Sequence, residues 1–260
     1  MTVALVVLCG LLGLVIGSFL NVVIWRVPRG ESVVSPPSHC PGCDQPVRPK
    51  DNIPVVSWLL LRGRCRDCGE PISARYPLVE AGTAVVFVAL ALRIGPHADL
   101  PAFLYLGAIG VALALIDIDV HRLPDPIVLP SYVVVAVLLA LAALVTGDWG
   151  SLLRAGIGLV ALYAFYFLLA FVYPSGMGFG DVKLAGVLGA GLAWLGWAEL
   201  VSGAFLGFLL GGVFGGGLML VRRAGRKSKI PFGPFMLLGA FVAILAGGAL
   251  ADLYLDSVLG

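Results

Sequence analysis

Long apolar runs separated by short polar breaks fill most of this 260-residue chain. A helix that crosses a bilayer needs about 17–25 predominantly apolar residues. Runs of that kind fall at about 3–25, 77–95, 101–118, 126–146, 151–173, 182–198, 200–221 and 231–251. They are apolar on all faces rather than striped, so the pattern predicts eight membrane-buried helices in an all-α, polytopic integral membrane protein. The one long interruption, residues 26–76, is the only room for a small extramembrane subdomain, and no tandem repeat of fixed period stands out. The first run has no basic residue before it and no small-residue cleavage site after it, and Arg26 and Arg29 follow directly. It reads as a retained helix rather than a removed signal peptide.

Composition sharpens this reading. With 60% hydrophobic and 12% charged residues and a mean hydropathy of +1.02, the chain is excluded from the water-soluble globules of its length. The net charge of +2 is small, and its distribution carries the information. With the N-terminus outside, segments 26–76, 119–125, 174–183 and 222–230 share one face and hold 15 of the 17 Lys and Arg residues. Only Arg93 and Arg154 fall opposite, together with Asp99, Asp148, Glu199, Asp252 and Asp256. Basic residues near helix ends stay cytoplasmic, so that face is predicted to be the cytoplasmic one. Gly203, Gly207, Gly211 and Gly215 recur every four residues, and Gly10, Gly13 and Gly17 mark the first helix. Both rows are expected to be helix-packing ridges.

Within the polar interruption, Cys40-Pro-Gly-Cys43 and Cys65-Arg-Asp-Cys68 form two Cys-x-x-Cys knuckles. Four thiolates at this spacing suit a tetrahedral Zn2+ ion, and glycine beside each knuckle lets backbone amides turn toward sulfur. The surrounding loop is rich in proline and too short for a large core, so a metal would supply much of its folding free energy. Reduced cytoplasmic thiols argue against two disulfides, and a redox pair is the alternative. Four protein ligands leave no open position for water, which makes the site structural. His39 is a competing ligand that the four thiolates make unnecessary, and Cys9, among Leu and Val, is a small apolar side chain.

The remaining polar cluster is Leu115-Ile-Asp117-Ile-Asp119-Val-His-Arg-Leu-Pro124-Asp125, and Gly178-Phe-Gly-Asp181-Val-Lys183 reaches the same membrane face from later in the chain. Asp117 continues an apolar helix, where an acid is costly unless it faces protein or a wet cavity. Should Asp117 and Asp181 approach to about 4 Å, their repulsion would be roughly 4 kcal/mol at an effective dielectric near 20. One carboxylate would then hold a proton while its neighbour stays ionised, the arrangement that activates water in aspartic proteases. Gly178 and Gly180 would leave room for a substrate strand against an extended segment before Asp181. Simpler readings stand beside these. Asp181 is also a helix cap, Asp119 and Asp125 cap or solvate helix ends, Asp125 between two prolines also looks like a turn residue, and His121 is a solvated loop residue. Asp117 is a structural partner of Arg122 or Lys183, and Lys183 snorkels toward headgroups.

Together these motifs resemble the bacterial type IV prepilin leader peptidases, bifunctional membrane aspartic proteases with a Gly-x-Gly-Asp signature. The matches run in order from Gly17-Ser-Phe-Leu-Asn21-Val-Val-Ile-Trp-Arg26-Val-Pro28 through the paired knuckles and Arg75-Tyr-Pro-Leu-Val-Glu80. They continue through the acidic cluster and Gly176-Met-Gly-Phe-Gly-Asp181-Val-Lys183 to Pro231-Phe-Gly-Pro-Phe235. The resemblance implies catalytic roles for Asp117 and Asp181. It implies cleavage after a glycine of the short basic leader of prepilins or pseudopilins, then methylation of the new N-terminal amine by S-adenosylmethionine. Methyl transfer would belong to residues 1–80, the first helix and the zinc loop, and cleavage to 81–260. The segment has no glycine-rich nucleotide motif, so no residue is assigned to the methyl donor, although Glu80 is a candidate for contacting the substrate or its amine. The expected partners are prepilins and the lipid of the bacterial inner membrane, with no nucleic acid. A proton-coupled transporter using the same aspartates is the alternative, and a zinc-organised scaffold without catalysis is a third reading.

Overall fold

The computed structural model describes residues 2–174, 177–220 and 231–259, which are helical almost throughout, with no strand among them. In chain order the helices are α1 (Thr2–Arg26), the short α2 (Val56–Leu60), α3 (Arg75–Ile94), α4 (Leu100–Val120) and α5 (Asp125–Thr146). α6 (Trp149–Val172), α7 (Phe179–Leu195), α8 (Trp197–Leu220) and α9 (Gly233–Leu259) follow. Every predicted apolar run holds one long helix. By length and composition six of them, α1, α3, α4, α5, α6 and α8, are able to cross a membrane. α7 has 17 residues, cut short by Gly178 and Gly196 at its ends, and the described apolar part of α9 is Gly233–Ala249. The basic segment 222–230 and Gly176 of the glycine-rich signature lie outside the described residues.

The chain divides into two compact units, one formed by residues 1–100 with 107–112 and the other by 101–106 with the described residues from 113 onward. In the first, α1 lies along α3 through the predicted glycine ridge. A Cβ at Gly13 would sit 2.6 Å from the Ala84 Cα, and one at Gly17 would sit 2.7 Å from the Glu80 Cα. The approach allows Asn21 Nδ2 to donate to the Tyr76 carbonyl at 3.2 Å. Close backbone packing of this kind supplies the van der Waals attraction that replaces the hydrophobic effect between helices in lipid.

In the second unit α7 is the core helix, buried from Asp181 to Trp194 except at Lys183. α5, α6, α8 and α9 pack around it. Its small residues make this possible, since the backbones of Gly189 and Gly158 on α6 meet directly. On α8 the ridge is used as predicted: a Cβ at Gly239 would lie 3.0 Å from both the Gly203 carbonyl oxygen and the Gly207 Cα. The carbonyls left unpaired at the end of α7 are taken by Arg154, whose guanidinium donates to Ala193 O and Trp194 O at 2.6 Å each. A cation is favoured at that end of a helix. Asp148 starts α6 by accepting the Ser151 amide at 2.9 Å.

Candidate active site and metal-binding loop

The two cysteine knuckles fold alike. Cys40 N–H donates to Gln45 O and Asp44 N–H returns to Cys40 O at 3.0 and 2.8 Å; Cys65 N–H donates to Glu70 O and Gly69 N–H returns to Cys65 O at 2.8 and 3.0 Å. Isolated bridges pair His39 with Pro46 and Arg64 with Pro71. Each position in one knuckle has its counterpart 25 residues later (65 − 40 = 25), including the left-handed turn residue, Asp44 at φ 55° and Gly69 at φ 77°. This Cys-x-x-Cys-x-x-Pro unit is a repeat that the sequence reading missed, because two copies of seven residues give no periodic signal.

All four thiols are free, and their sulfurs lie within 4.8 Å of one another. Cys40 Sγ and Cys68 Sγ are 3.7 Å apart, close to the edge of about 3.8 Å expected for a tetrahedron with 2.3 Å metal–sulfur bonds. The donor set therefore fits a tetrahedral metal ion. Amides of Cys68 and Asp67 donate to the Cys65 sulfur and bring its thiol down to about 7. Arg48 bonds Asp67 at 2.6 Å and so ties the first knuckle's exit to the second knuckle. Arg66 bonds Asp51 at 2.6 Å and holds that carboxyl below its ordinary range. His39 is outside the thiol cluster, its Nδ1 3.3 Å from Pro37 O, and Cys9 is buried in α1. Glu80, also buried, accepts the Val55 amide at 2.7 Å.

Asp117 and Asp181 are both buried, at 5% and 8% exposure. Asp117 stands in the last turn of α4, and its Oδ2 accepts the amide of Gly233, the first residue of α9, at 3.1 Å. Asp181 is in the first turn of α7, where its Oδ2 accepts the Gly178 amide at 3.1 Å while its own amide donates to Gly178 O at 3.0 Å. Each carboxylate is thus seated on an amide at a helix start, where unpaired N–H groups and the helix dipole favour negative charge. The two acids lie within Coulombic reach of each other. Leu123 fills the space beside them: a Cβ at Gly180 would be 3.0 Å from its Cβ, and one at Gly233 3.3 Å from its Cδ2.

Several simpler expectations change. The segment before Asp181 is not strand-like, because the capping bond starts α7 at Phe179, and only Gly178 stays extended. Asp125 stands at a helix end, one of its two expected places, rather than in a turn: it opens α5, and its carboxylate receives Lys183 Nζ at 2.7 and 2.9 Å. Lys183 is therefore the partner of Asp125 rather than of Asp117, and Tyr132 OH donates to the Lys183 carbonyl at 2.6 Å. His121 is exposed at the end of α4, as expected, with φ 52°, in Coulombic reach of Asp117. Two contributors were missed. Gly233 lies in a quoted motif but gave no hint of its amide's target. Tyr166 of α6 is fully buried and within Coulombic reach of Asp181, its ring 5.3 Å from Phe208 and 6.3 Å from Phe232.

Fold and site together define a polytopic helical membrane protein with paired buried carboxylates and a separate thiol cluster. Residues 11–94 match the family described as Bacterial Peptidase A24 N-terminal domain, and residues 104–216 match the Type IV leader peptidase family. The chain is 39% identical to a prepilin leader peptidase/N-methyltransferase of Aeromonas hydrophila, over 96% of this chain and 93% of the relative. It is 35% identical to the protein so named from Stutzerimonas stutzeri (96% and 94% covered) and 37% identical to that from Neisseria gonorrhoeae (92% and 90%). The chain belongs to the type IV leader peptidase family. No solved structure is a significant match. Nothing in these similarities supports the transporter alternative.

Proposed function

We propose that this chain is a membrane aspartic endopeptidase that removes the leader of type IV prepilins and pseudopilins and then N-methylates the new N-terminal residue. The observation that carries the cleavage is the pairing of Asp117 with Asp181 around Leu123, each acid held by a glycine amide. In this mechanism the two acids, which lie within Coulombic reach of each other, share one proton. The ionised one takes a proton from water as its oxygen attacks the scissile carbonyl carbon, and the protonated one donates to the carbonyl oxygen. Collapse of the tetrahedral intermediate breaks the C–N bond, and a carboxyl returns a proton to the leaving amine. The buried setting strengthens each of these electrostatic contacts.

Cys40, Cys43, Cys65 and Cys68 would hold Zn2+, which as a four-thiolate site supplies structure rather than a reactive water. S-adenosylmethionine supplies the methyl group for the second reaction, which we assign to residues 1–80, with cleavage in 81–260. The asymmetry of Lys and Arg supports an inner-membrane protein with its N-terminus outside and Asp117, Asp181 and the cysteine loop facing the cytoplasm. The test is co-expression with a prepilin. Asp117→Asn and Asp181→Asn should each abolish processing while the protein stays in the membrane, and full cleavage by either variant would rule out the pair. Incubating the purified protein with a prepilin and labelled S-adenosylmethionine, and reading cleavage position and amine mass together, tests both activities.

A further inference from the structure

The loop between α1 and α3 carries an apolar surface that neither the thiol cluster nor the acid pair uses. α2 begins from a strained turn: Val55 has φ 60° and ψ −48°, and the Val56 amide bonds back to Pro54 O at 2.6 Å. This is a γ-turn of the rarer hand centred on a β-branched residue, a conformation that needs support from its surroundings. Glu80 Oε2 provides it by accepting the Val55 amide at 2.7 Å. Below the turn, the buried Ser57 hydroxyl donates to Lys50 O and accepts the Ile53 amide, both at 3.0 Å, and Trp58 Nε1 donates to Ile72 O at 2.9 Å. With Ser57 and Trp58 turned inward, Ile53, Val56, Leu59 and Leu60 face outward. Leu59 is 61% and Leu60 76% exposed.

The Glu80 contact also fixes where that face sits along α3. Glu80 lies five residues into α3, which begins at Arg75 and is a membrane-crossing helix by length and composition. At 1.5 Å per residue this is about 7.5 Å past the helix start. Val55 is therefore held beside the second turn of α3, with the four exposed apolar side chains next to it. Exposed Trp25 on α1 and Tyr76 on α3 stand nearby along the same helix pair, joined by the bond from Asn21 to Tyr76 O. Aromatic residues collect at the membrane–water boundary in membrane proteins. Past α2 come exposed Arg62 and Arg64, which make no ion pair among the described residues, whereas Arg48 and Arg66 are paired with Asp67 and Asp51.

We propose that Ile53, Val56, Leu59 and Leu60 form a foot that inserts at the headgroup–acyl boundary of an anionic bilayer, with Arg62 and Arg64 on lipid phosphates. Such a foot would hold the cysteine loop against the membrane surface at a fixed depth. Two exposed cations without an ion pair among the described residues, beside an apolar face, match an anionic lipid surface, whose phosphates and acyl chains offer both partners. The choice of the anionic cytoplasmic leaflet rests on the orientation given under Proposed function. The lipid contact itself rests only on the geometry of the first unit.

The test uses the full-length, zinc-loaded protein in nanodiscs of phosphatidylethanolamine and phosphatidylglycerol, with an environment-sensitive fluorescent amino acid at position 60. A nitroxide on carbon 5 of the acyl chain should quench it at least about twofold, while aqueous iodide should quench it less in nanodiscs than in detergent. Probes at positions 56 and 59 should respond alike, so the result does not depend on one substituted side chain, and retained zinc reports an intact loop. The double variant Arg62→Gln, Arg64→Gln should remove the difference between phosphatidylglycerol and phosphatidylcholine nanodiscs. Iodide quenching without nitroxide quenching would overturn the foot. So would a probe that is shielded only when a prepilin is added, which would make the face a protein-docking surface. Sidedness in sealed vesicles is read separately: a reversed orientation with nitroxide quenching intact would sink the leaflet assignment and leave the lipid contact standing.

Discussion

A methyl group at position 233 has nowhere to go: it would lie 2.7 Å from Asp117 Oδ2 and 3.3 Å from the Leu123 Cδ2. Gly233→Ala should therefore push the carboxylate off its amide without disturbing the rest of α9. A displacement of this size costs about 100-fold in rate. Turnover of a purified prepilin should fall by that order while membrane insertion and detergent melting stay unchanged. Gly178 gives the contrast. Its φ of −75° suits any residue, and a Cβ there would be 3.3 Å from Asp181 Oδ2, so Gly178→Ala should cost less than about tenfold, and a loss as large as that of Gly233→Ala would contradict this ranking. The Lys183–Asp125 pair ties the start of α7, which carries Asp181, to the start of α5, with Asp125 about half exposed. Pairs of this exposure contribute about 0.2–1 kcal/mol. Lys183→Met and Asp125→Asn should each lower kcat/KM about two- to fivefold, and the double variant should be no worse than either single one, which a double-mutant cycle reads directly. Asp117 and Asp181 were legible in the sequence because charge inside an apolar run is costly enough to demand a reason. Gly233, Tyr166 and the partner of Lys183 were not, since each acts through a contact between distant segments and carries no local pattern.

Elements were the most legible level. All-apolar runs of membrane length force the backbone to satisfy its own hydrogen bonds, so each predicted run became a helix. The exceptions are instructive: α7 starts at Phe179 rather than near 182, because the side chain of Asp181 caps from within the first turn, a bond that hydropathy does not see. The cysteine loop was legible as a metal site from ligand spacing, but not as two superimposable knuckles or as a foot beside α3. Those depend on Cys65 N–H, Trp58 Nε1 and the Val55 amide finding particular carbonyls and one carboxylate. Its metal should respond to pH in a definite sense. Bonds from the Cys68 and Asp67 amides lower the Cys65 thiol to about 7. The stabilisation from its ionised form is complete above the unfolded thiol value and is lost progressively as pH falls from there through about 7. Protons then compete with the metal, and zinc affinity measured against a chromophoric chelator should drop at least about tenfold per pH unit below 7. An affinity flat from pH 7 to 5 would contradict thiolate ligation. Cys40→Ser should release the metal and expose the loop to protease at pH 7 as well.

For the whole molecule, the decisive quantity is which loops lie on which side, and the charges constrain it strongly. Of the 17 basic residues, five (Arg222, Arg223, Arg226, Lys227 and Lys229) lie outside the described residues. Without them the proposed topology still puts 10 of 12 (15 − 5 and 17 − 5) on the face to which it assigns the cysteine loop, Asp117 and Asp181. Each Lys or Arg near an anionic leaflet contributes roughly 1 kcal/mol, so a surplus of eight (10 − 2) dominates the orientation. The shortest candidate span is α7, whose 17 residues are at the lower limit of about 17 for a crossing helix. Its ends suit a crossing: Lys183 and Asp125 pair at its start, and Arg154 closes its far end through Ala193 O and Trp194 O. A cation at each end of an apolar helix whose middle is fully buried is what a short span packed among neighbours requires. Reporter fusions turn this into a measurement. Alkaline phosphatase, active only outside, should be active when fused after Gly147 or after Gly196 and inactive after Asp51. A fluorescent protein that matures only in the cytoplasm should give the opposite pattern. Activity at 147 with none at 196 would mean that α7 turns back without crossing, and the number of spans would fall below eight even though every helix is where the hydropathy puts it.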